Sequence, residues 1–212
     1  MSLQVITTVQ SMTLSDITSA HAVSSWQPGT ADRITDAAIE PFQDNGFEST
    51  TAAEIAERAG VTRRTFFRYF ADKRDVLFVE HGKLAAVVAA VAAAAPPESP
   101  AAAVLSIGFH RLAEDVFCGH SERVRVLHRI IVSDESLRER EQHKNALIAD
   151  AGERAFIARG FDPADARLAA GLGVLVLSLT IENWIEDEDS DLGTIADDLL
   201  ESIGTLAHIE MG

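Results

Sequence analysis

Apolar positions recur at intervals of three and four along most of this chain, the spacing of helices that each bury one face. Ala52, Ile55, Ala56 and Ala59 form one such stripe, and Leu84, Val87, Val88 and Val91 another. Leu105, Phe109, Leu112 and Val116 follow, then Val124, Leu127, His128 and Ile131. The pattern predicts helices over 32–45, 52–59, 62–70, 73–95, 101–118, 122–133, 136–159, 162–186 and 192–208. Strand-like alternation never extends beyond a few residues and no internal repeat is present, so the expected fold class is all-α.

Punctuation supports these boundaries. Gly46, Gly60 and Gly160 stand where helices should stop, since glycine enters a left-handed turn without steric cost. The prolines between 96 and 100 mark the clearest break, and Pro163 opens a helix in its first turn, where proline is tolerated. Pro41 falls inside the first helix, where a missing N–H predicts a kink near Glu40. Residues 1–29 are rich in Ser, Thr and Gln and read as a flexible arm, with a short helix around 15–24 as the alternative. The arm has no Lys or Arg, which argues against a minor-groove role.

Chemistry concentrates between Thr50 and Phe70. Thr50 or Thr51 can cap a helix, and Glu54 lies three residues after Thr51, as a capping box requires. Gly60 ends that helix, Val61 plugs the turn, and Thr62 caps the next. Phe66, Phe70 and Tyr69 would pack inward from the second helix, while Arg63, Arg64 and Phe67 face away. Arg63, Arg64 and Thr65 sit in its first turn, where a helix entering the major groove presents side chains to base edges. The arginine fork matches the two acceptors of guanine. Between Thr62 and Arg74 there are five basic residues, Arg68 and Lys73 among them, and one acid, Asp72. A solvated basic face is the plain alternative, but the order helix, glycine turn, basic helix favours a DNA-binding helix-turn-helix.

Composition sharpens the point. The 212-residue chain is 47% hydrophobic with a net charge of −15, so its long-range field opposes DNA. Binding must rest on the local basic cluster, and marked salt sensitivity is expected. Cys118 is the single cysteine, so no internal disulfide forms, which fits a reducing cytoplasm. Cys118 and the nearby His120 do not form a catalytic pair on this reading. Residues 1–25 show no secretion signal, and the apolar run 168–181 is too short for a bilayer and reads as a buried helix, so no membrane is expected.

From about residue 30 to 78 the chain resembles the N-terminal domain of the TetR family of transcriptional regulators. The likeness rests on Arg33–Ala38, on Phe42, Gly46 and Phe47, and on Thr50, Thr51, Glu54, Ile55 and Ala56. It continues through Ala59, Gly60, Val61, Thr65, Tyr69, Phe70, Lys73, Val76 and Leu77. The resemblance implies a head over 30–78, and over 79–212 a helical body that dimerises and binds a small ligand. By position, Thr51, Thr62 and Lys73 would hold phosphates, Tyr69 would touch the DNA backbone, and Arg63, Arg64 and Thr65 would meet the groove. Family members often have glycine where this chain has Arg64 and tyrosine where it has Phe67, so contact at Phe67 would be apolar.

For the body, Ala169, Ala170, Gly171 and Gly173 would allow close helix approach, and Leu172, Leu175, Val176 and Leu179 would supply apolar area. With the resemblance, these residues suggest a homodimer interface. Phe109, His110, Phe117, His128, Asn183 and Trp184 are candidate pocket residues for an apolar or aromatic small-molecule effector. The mechanism implied by the resemblance is a switch in which ligand changes the separation of two heads and weakens a palindromic operator complex. There is no glycine-rich phosphate loop, GxSxG, HExxH or metal-ligand spacing, so neither an enzyme nor a cofactor or metal site is expected. The alternative is a helical module whose basic helix meets an acidic protein partner.

Overall fold

A computed structural model of the chain describes residues 29–117, 121–187 and 190–207. The expected arm, Gly29 excepted, lies outside the described residues, as do Cys118, His120 and His208. Among the described residues the regular elements are all helical, as the periodicity requires. They are α1 (Thr30–Asn45), α2 (Ala52–Arg58), α3 (Arg63–Tyr69), a 3-10 turn (Asp75–Phe78), α4 (Val79–Ala94) and α5 (Ala101–Leu112). A π-helical turn (Ala113–Phe117), α6 (Ser121–Ser133), α7 (Glu135–Ala158), α8 (Pro163–Glu186) and α9 (Leu192–Ala207) complete the order.

The chain forms two compact units. Of the described residues, the head unit holds Gly29–Gly82 together with Glu122–Lys144. Its core takes Ile34, Ala38 and Phe42 from α1, Ile55 and Ala56 from α2, Phe66 from α3, and Val76, Leu77 and Phe78 from the 3-10 turn. Val126, Leu127, Ile130, Ile131 and Leu137, from much later in the chain, complete it. Three short helices alone have little apolar surface to bury, so added area from α6 and α7 counts. Arg123 on α6 reinforces the junction, with its guanidinium 3.4 Å from Asp32 and 3.3 Å from Asp36 on α1.

Three details depart from the periodicity. The helix expected from Lys73 begins only at Val79, because the Asp72 carboxylate accepts the N–H groups of Arg74 and Asp75 at 2.8 and 3.1 Å and opens a 3-10 turn. On α6 the buried face is Val126, Leu127, Ile130 and Ile131, whereas Val124 and His128 are only half-buried. Both stripes satisfy helical spacing, and packing against the head selects one. α1 continues through Pro41, whose carbonyl accepts the hydroxyl of buried Thr50 at 2.9 Å.

The second unit holds Lys83–Ser121 and residues from Asn145 onward. Leu84, Val87 and Val91 of α4, Val104, Phe109 and Leu112 of α5, Phe156 of α7 and Val176 and Leu177 of α8 are buried there. α8 and α9 pack on each other and both pack on α5. His110 Nε2 lies 3.0 Å from Asp197 Oδ2, joining α5 to α9. Arg159 closes the C-terminus of α4: Nη1 donates to the carbonyls of Ala92 and Ala95 at 2.6 and 2.7 Å, and Nη2 to that of Pro96 at 2.5 Å. These carbonyls lack helical partners, so a fixed guanidinium satisfies them.

α8 corrects the reading of run 168–181 on two counts. The helix is 24 residues long with a window of mean hydropathy 1.7, long and apolar enough by composition to cross a membrane. It is also not wholly buried: Leu168 and Leu175 are 71% and 51% exposed. The other helix that passes the length test, 75–94, runs through the head's 3-10 turn, and its residues Val76, Leu77 and Phe78 lie in the head core.

Candidate nucleic-acid interface

The two helices of the motif are set by local capping. Thr51 has extended backbone and caps α2 in a reciprocal box: its hydroxyl accepts the Glu54 N–H at 3.2 Å, and its own N–H donates to Glu54 Oε2 at 2.7 Å. That N–H, then the Thr51 hydroxyl, hold the Glu54 carboxyl below its ordinary range. Gly60, at φ 67°, ends α2 with the Gly60 N–H on the Glu57 carbonyl and the Val61 N–H on that of Ala56. This paired closure needs a left-handed residue, which is why glycine stands there. Val61 packs on the head core, and Thr62 caps α3 through the Thr65 N–H at 3.0 Å.

α3 is anchored by Phe66, which is fully buried with its ring 5.7 Å from that of Phe70. With that face inward, Arg63, Arg64 and Arg68 are exposed. Phe67 is 48% exposed, its ring edge-on to Phe66 at 5.3 Å. A burial-driven anchor thus leaves three guanidinium groups and one apolar ring in solvent on a short helix. Thr65 is half-buried, its hydroxyl 3.0 Å from that of Thr62.

Two residues expected at the DNA backbone are placed otherwise. The Lys73 ammonium donates to the carbonyls of Phe47, Glu48 and Thr50 at 2.7, 3.0 and 3.0 Å and lies 4.3 Å above the Phe47 ring. All three of its donors are occupied in tying the α1–α2 turn. The Tyr69 hydroxyl is buried, and its ring packs on the head core with the Arg68 guanidinium 5.2 Å from the ring centre. Neither group stands free for a phosphate. Nothing local in the sequence marks this, because the Lys73 partners lie 23 to 26 residues away. Thr51 and Thr62 are exposed but engaged as caps.

A polar cluster behind the motif escaped the sequence reading. Asp75 Oδ1 is 2.5 Å from Arg140 Nη2 and 3.5 Å from Lys144 Nζ. Burial pushes the Asp75 carboxyl up, but the Arg140 hydrogen bond and the two cations more than offset this and hold it below its usual range. The same hydrogen bond raises Arg140 further. His81 lies beside Phe78, and burial, then the Lys144 charge, lower its pKa to about 4.

In the second unit, the candidate pocket residues separate. Phe109 lines a cavity of about 50 Å³ with Leu84, Leu105, Phe156, Ala170 and Leu177 among its walls. His110 faces Asp197 instead, and Phe117 stacks edge-on with Trp184 at 5.8 Å; neither pair lines that cavity. Asn183 is exposed on α8, and His128 belongs to the head unit, so the six do not form one site. Of the residues expected at a dimer interface, Leu175 and Gly171 are exposed and Leu172 and Leu179 half-buried. Val176, which flanks that face, is fully buried inside its own protomer, and it is corrected to a core residue. Leu168, missed in the sequence, extends the exposed face. No cluster of three or more metal-ligating side chains occurs among the described residues.

An all-helical chain whose capped, glycine-turned helix pair exposes three arginines has the architecture of a helix-turn-helix DNA-binding protein. Residues 34–79 match the model of the bacterial regulatory proteins of the tetR family. The head of this chain is similar to the N-terminal DNA-binding domain of that family over these residues. The putative mycofactocin biosynthesis transcriptional regulator MftR of Mycobacterium tuberculosis is 45% identical over 47 residues, 22% of this chain and 24% of that protein. The chain therefore matches only about a quarter of the length of this curated relative. The fold of FadR from Bacillus halodurans, a fatty acid degradation regulator, aligns over 88% of this chain and 99% of its own at TM-score 0.57 and 20% identity. FadR of Thermus thermophilus, a transcriptional repressor solved with lauroyl-CoA, aligns over 86% and 97% at TM-score 0.52 and 25% identity.

Proposed function

We propose that this protein is a dimeric transcriptional repressor that binds a palindromic operator and releases it when a small molecule enters the second unit. The observation that carries the reading is the exposed trio Arg63, Arg64 and Arg68 on the Thr62-capped helix, in a head of the tetR family. Arg63 and Arg64 read base edges from the first turn of α3, and Phe67 makes apolar contact. A net charge of −15 leaves attraction to this patch alone, so two heads acting together supply what one cannot. Dimerisation covers the exposed α8 face of Leu168, Gly171, Leu172, Leu175 and Leu179, giving a reason for apolar residues in solvent. The chemistry involves no catalytic step, and the protein works in the cytoplasm, where its DNA is.

Ligand and operator are coupled through the chain itself, since α4 and α7 each continue from one unit into the other. Coupling is reciprocal, so operator DNA must weaken ligand by the factor by which ligand weakens operator. The test is fluorescence anisotropy with DNA from upstream of the protein's own gene against a scrambled duplex at two salt concentrations. Sequence-dependent, salt-sensitive binding is expected, and Arg63→Ala with Arg64→Ala should abolish the preference at a loss of roughly 1–3 kcal/mol per arginine. An unchanged affinity in the double variant refutes the assignment of α3. Retention of an acidic protein partner by the wild type, with no duplex preference across a genome-wide site selection, would instead make it a protein-binding module.

A further inference from the structure

α3 presents one apolar side chain to solvent, and its other exposed side chains are all arginines. A helix turns by about 100° per residue, so the fully buried Phe66 fixes where each neighbour points. On that wheel Phe67 falls between Arg63 and Arg64, about 40° from the first and about 60° from the second, in the middle of the outward face. Arg68 lies at the edge of that face, its guanidinium 5.2 Å from the centre of the Tyr69 ring. Phe67 is 48% exposed, yet its ring is not loose. It stands edge-on to Phe66 with 5.3 Å between ring centres, and Phe66 is fixed in the head core.

A phenyl ring among guanidinium groups has little to offer the DNA backbone. Phosphate oxygens take charge and hydrogen bonds, which the arginines supply and the ring does not. Base edges in the major groove present hydrogen-bonding groups with one apolar exception, the C5-methyl group of thymine. Thr65 carries the other methyl group in this turn of α3, but it lies about 160° round the helix from Phe67. Thr65 is half-buried, with its hydroxyl 3.0 Å from that of Thr62. Phe67 is therefore the apolar group that α3 offers to a base edge, and it stands between the two arginines suited to guanine.

We infer that Phe67 determines specificity by packing its ring on a thymine methyl group, so that each operator half-site requires a thymine adjoining the bases met by Arg63 and Arg64. The inference rests on the proposed DNA-binding function and deepens it by naming the base that the outward ring reads. No hydrogen bond takes part in this discrimination. It comes from removing one methyl group and one exposed ring from water together.

The test starts from a duplex selected out of a random pool by the full-length protein. Fluorescence anisotropy is then measured on copies in which single thymines are replaced by deoxyuridine, which keeps the hydrogen-bonding groups of thymine and lacks only the methyl. One thymine in each half-site should be sensitive. Its replacement should weaken binding about fourfold, and replacement in both half-sites about fifteenfold, the worth of one and of two buried methyl groups. Phe67→Ala and Phe67→Ser should bind the parent duplex more weakly and no longer distinguish thymine from deoxyuridine there, while keeping their preference at the bases met by arginine. Thermal melting checks that each variant folds, and the wild-type series needs no variant. Indifference of the wild type to deoxyuridine at every position overturns the inference, as does a folded Phe67→Ala or Phe67→Ser variant that keeps the distinction in full. The two failures stay apart: a selected duplex that is bound through Arg63 and Arg64 but indifferent to the methyl removes the role of Phe67 alone. A pool that yields no preferred duplex removes the DNA-binding reading and this inference with it.

Discussion

Replacing Lys73 by Met separates two roles that a lysine in this motif could have. As a phosphate ligand, Lys73 would contribute to DNA affinity and to its salt dependence. As the structure has it, the ammonium joins the carbonyls of Phe47, Glu48 and Thr50 and stacks on Phe47. Methionine keeps the apolar stem against that ring and removes the charge and its donors. A hydrogen bond from a charged group contributes about 1.5–3 kcal/mol when buried, but these three are partly solvated, and water replaces some of them. We therefore expect a loss of about 2–3 kcal/mol in the stability of the head, near one per bond. The assay is urea denaturation followed by circular dichroism, with operator affinity measured across a salt series under folded conditions. The variant should bind operator more weakly because the turn before α2 is loosened, yet the slope of log affinity against log salt should stay as in wild type. A lost phosphate contact lowers that slope by about 0.9. A slope reduced by that amount with unchanged stability would refute the argument and return Lys73 to the phosphates.

Further predictions follow from buried groups and close packing. His81 titrates near 4 when folded and near 6.5 when unfolded, so the unfolded chain binds more protons between these values and stability falls as pH drops through that window. The loss reaches about 3 kcal/mol at the acid end, and His81→Leu should flatten the denaturation profile between pH 6.5 and 4; an equally steep profile would show that other groups dominate. Gly193→Ala puts a Cβ 2.3 Å from His110 Nδ1, and the ring is held by Asp197 on its far side, so overpacking should cost about 1–3 kcal/mol, read from thermal melting. Leu168→Glu with Leu175→Glu charges the exposed face of α8 and should shift the protein to monomers in sedimentation equilibrium; an unchanged dimer would place the interface elsewhere.

What could be read along the chain is what depends on near neighbours. Thr51 with Glu54, the glycine at 60 and the cap at Thr62 act within four residues, so the caps of α2 and α3 follow from residue type and spacing alone. The inward anchor Phe66 and the outward Arg63, Arg64 and Phe67 follow equally, since helical geometry sorts faces within one turn. The all-α class came from the same period. Periodicity does not say what a face meets. It allowed two stripes on α6, and only packing chose Val126 and Ile130 over Val124 and His128 and set them in the head core. It put Val176 beside Leu175 as equal apolar neighbours on α8, although one is a core residue and the other half in solvent. The sequence by itself determined the helices, their caps and the basic face of α3, because local steric and hydrogen-bonding rules act there. Only the tertiary structure decided that Lys73 ties a turn and that His81 stays neutral. Those outcomes depend on groups brought together from distant parts of the chain.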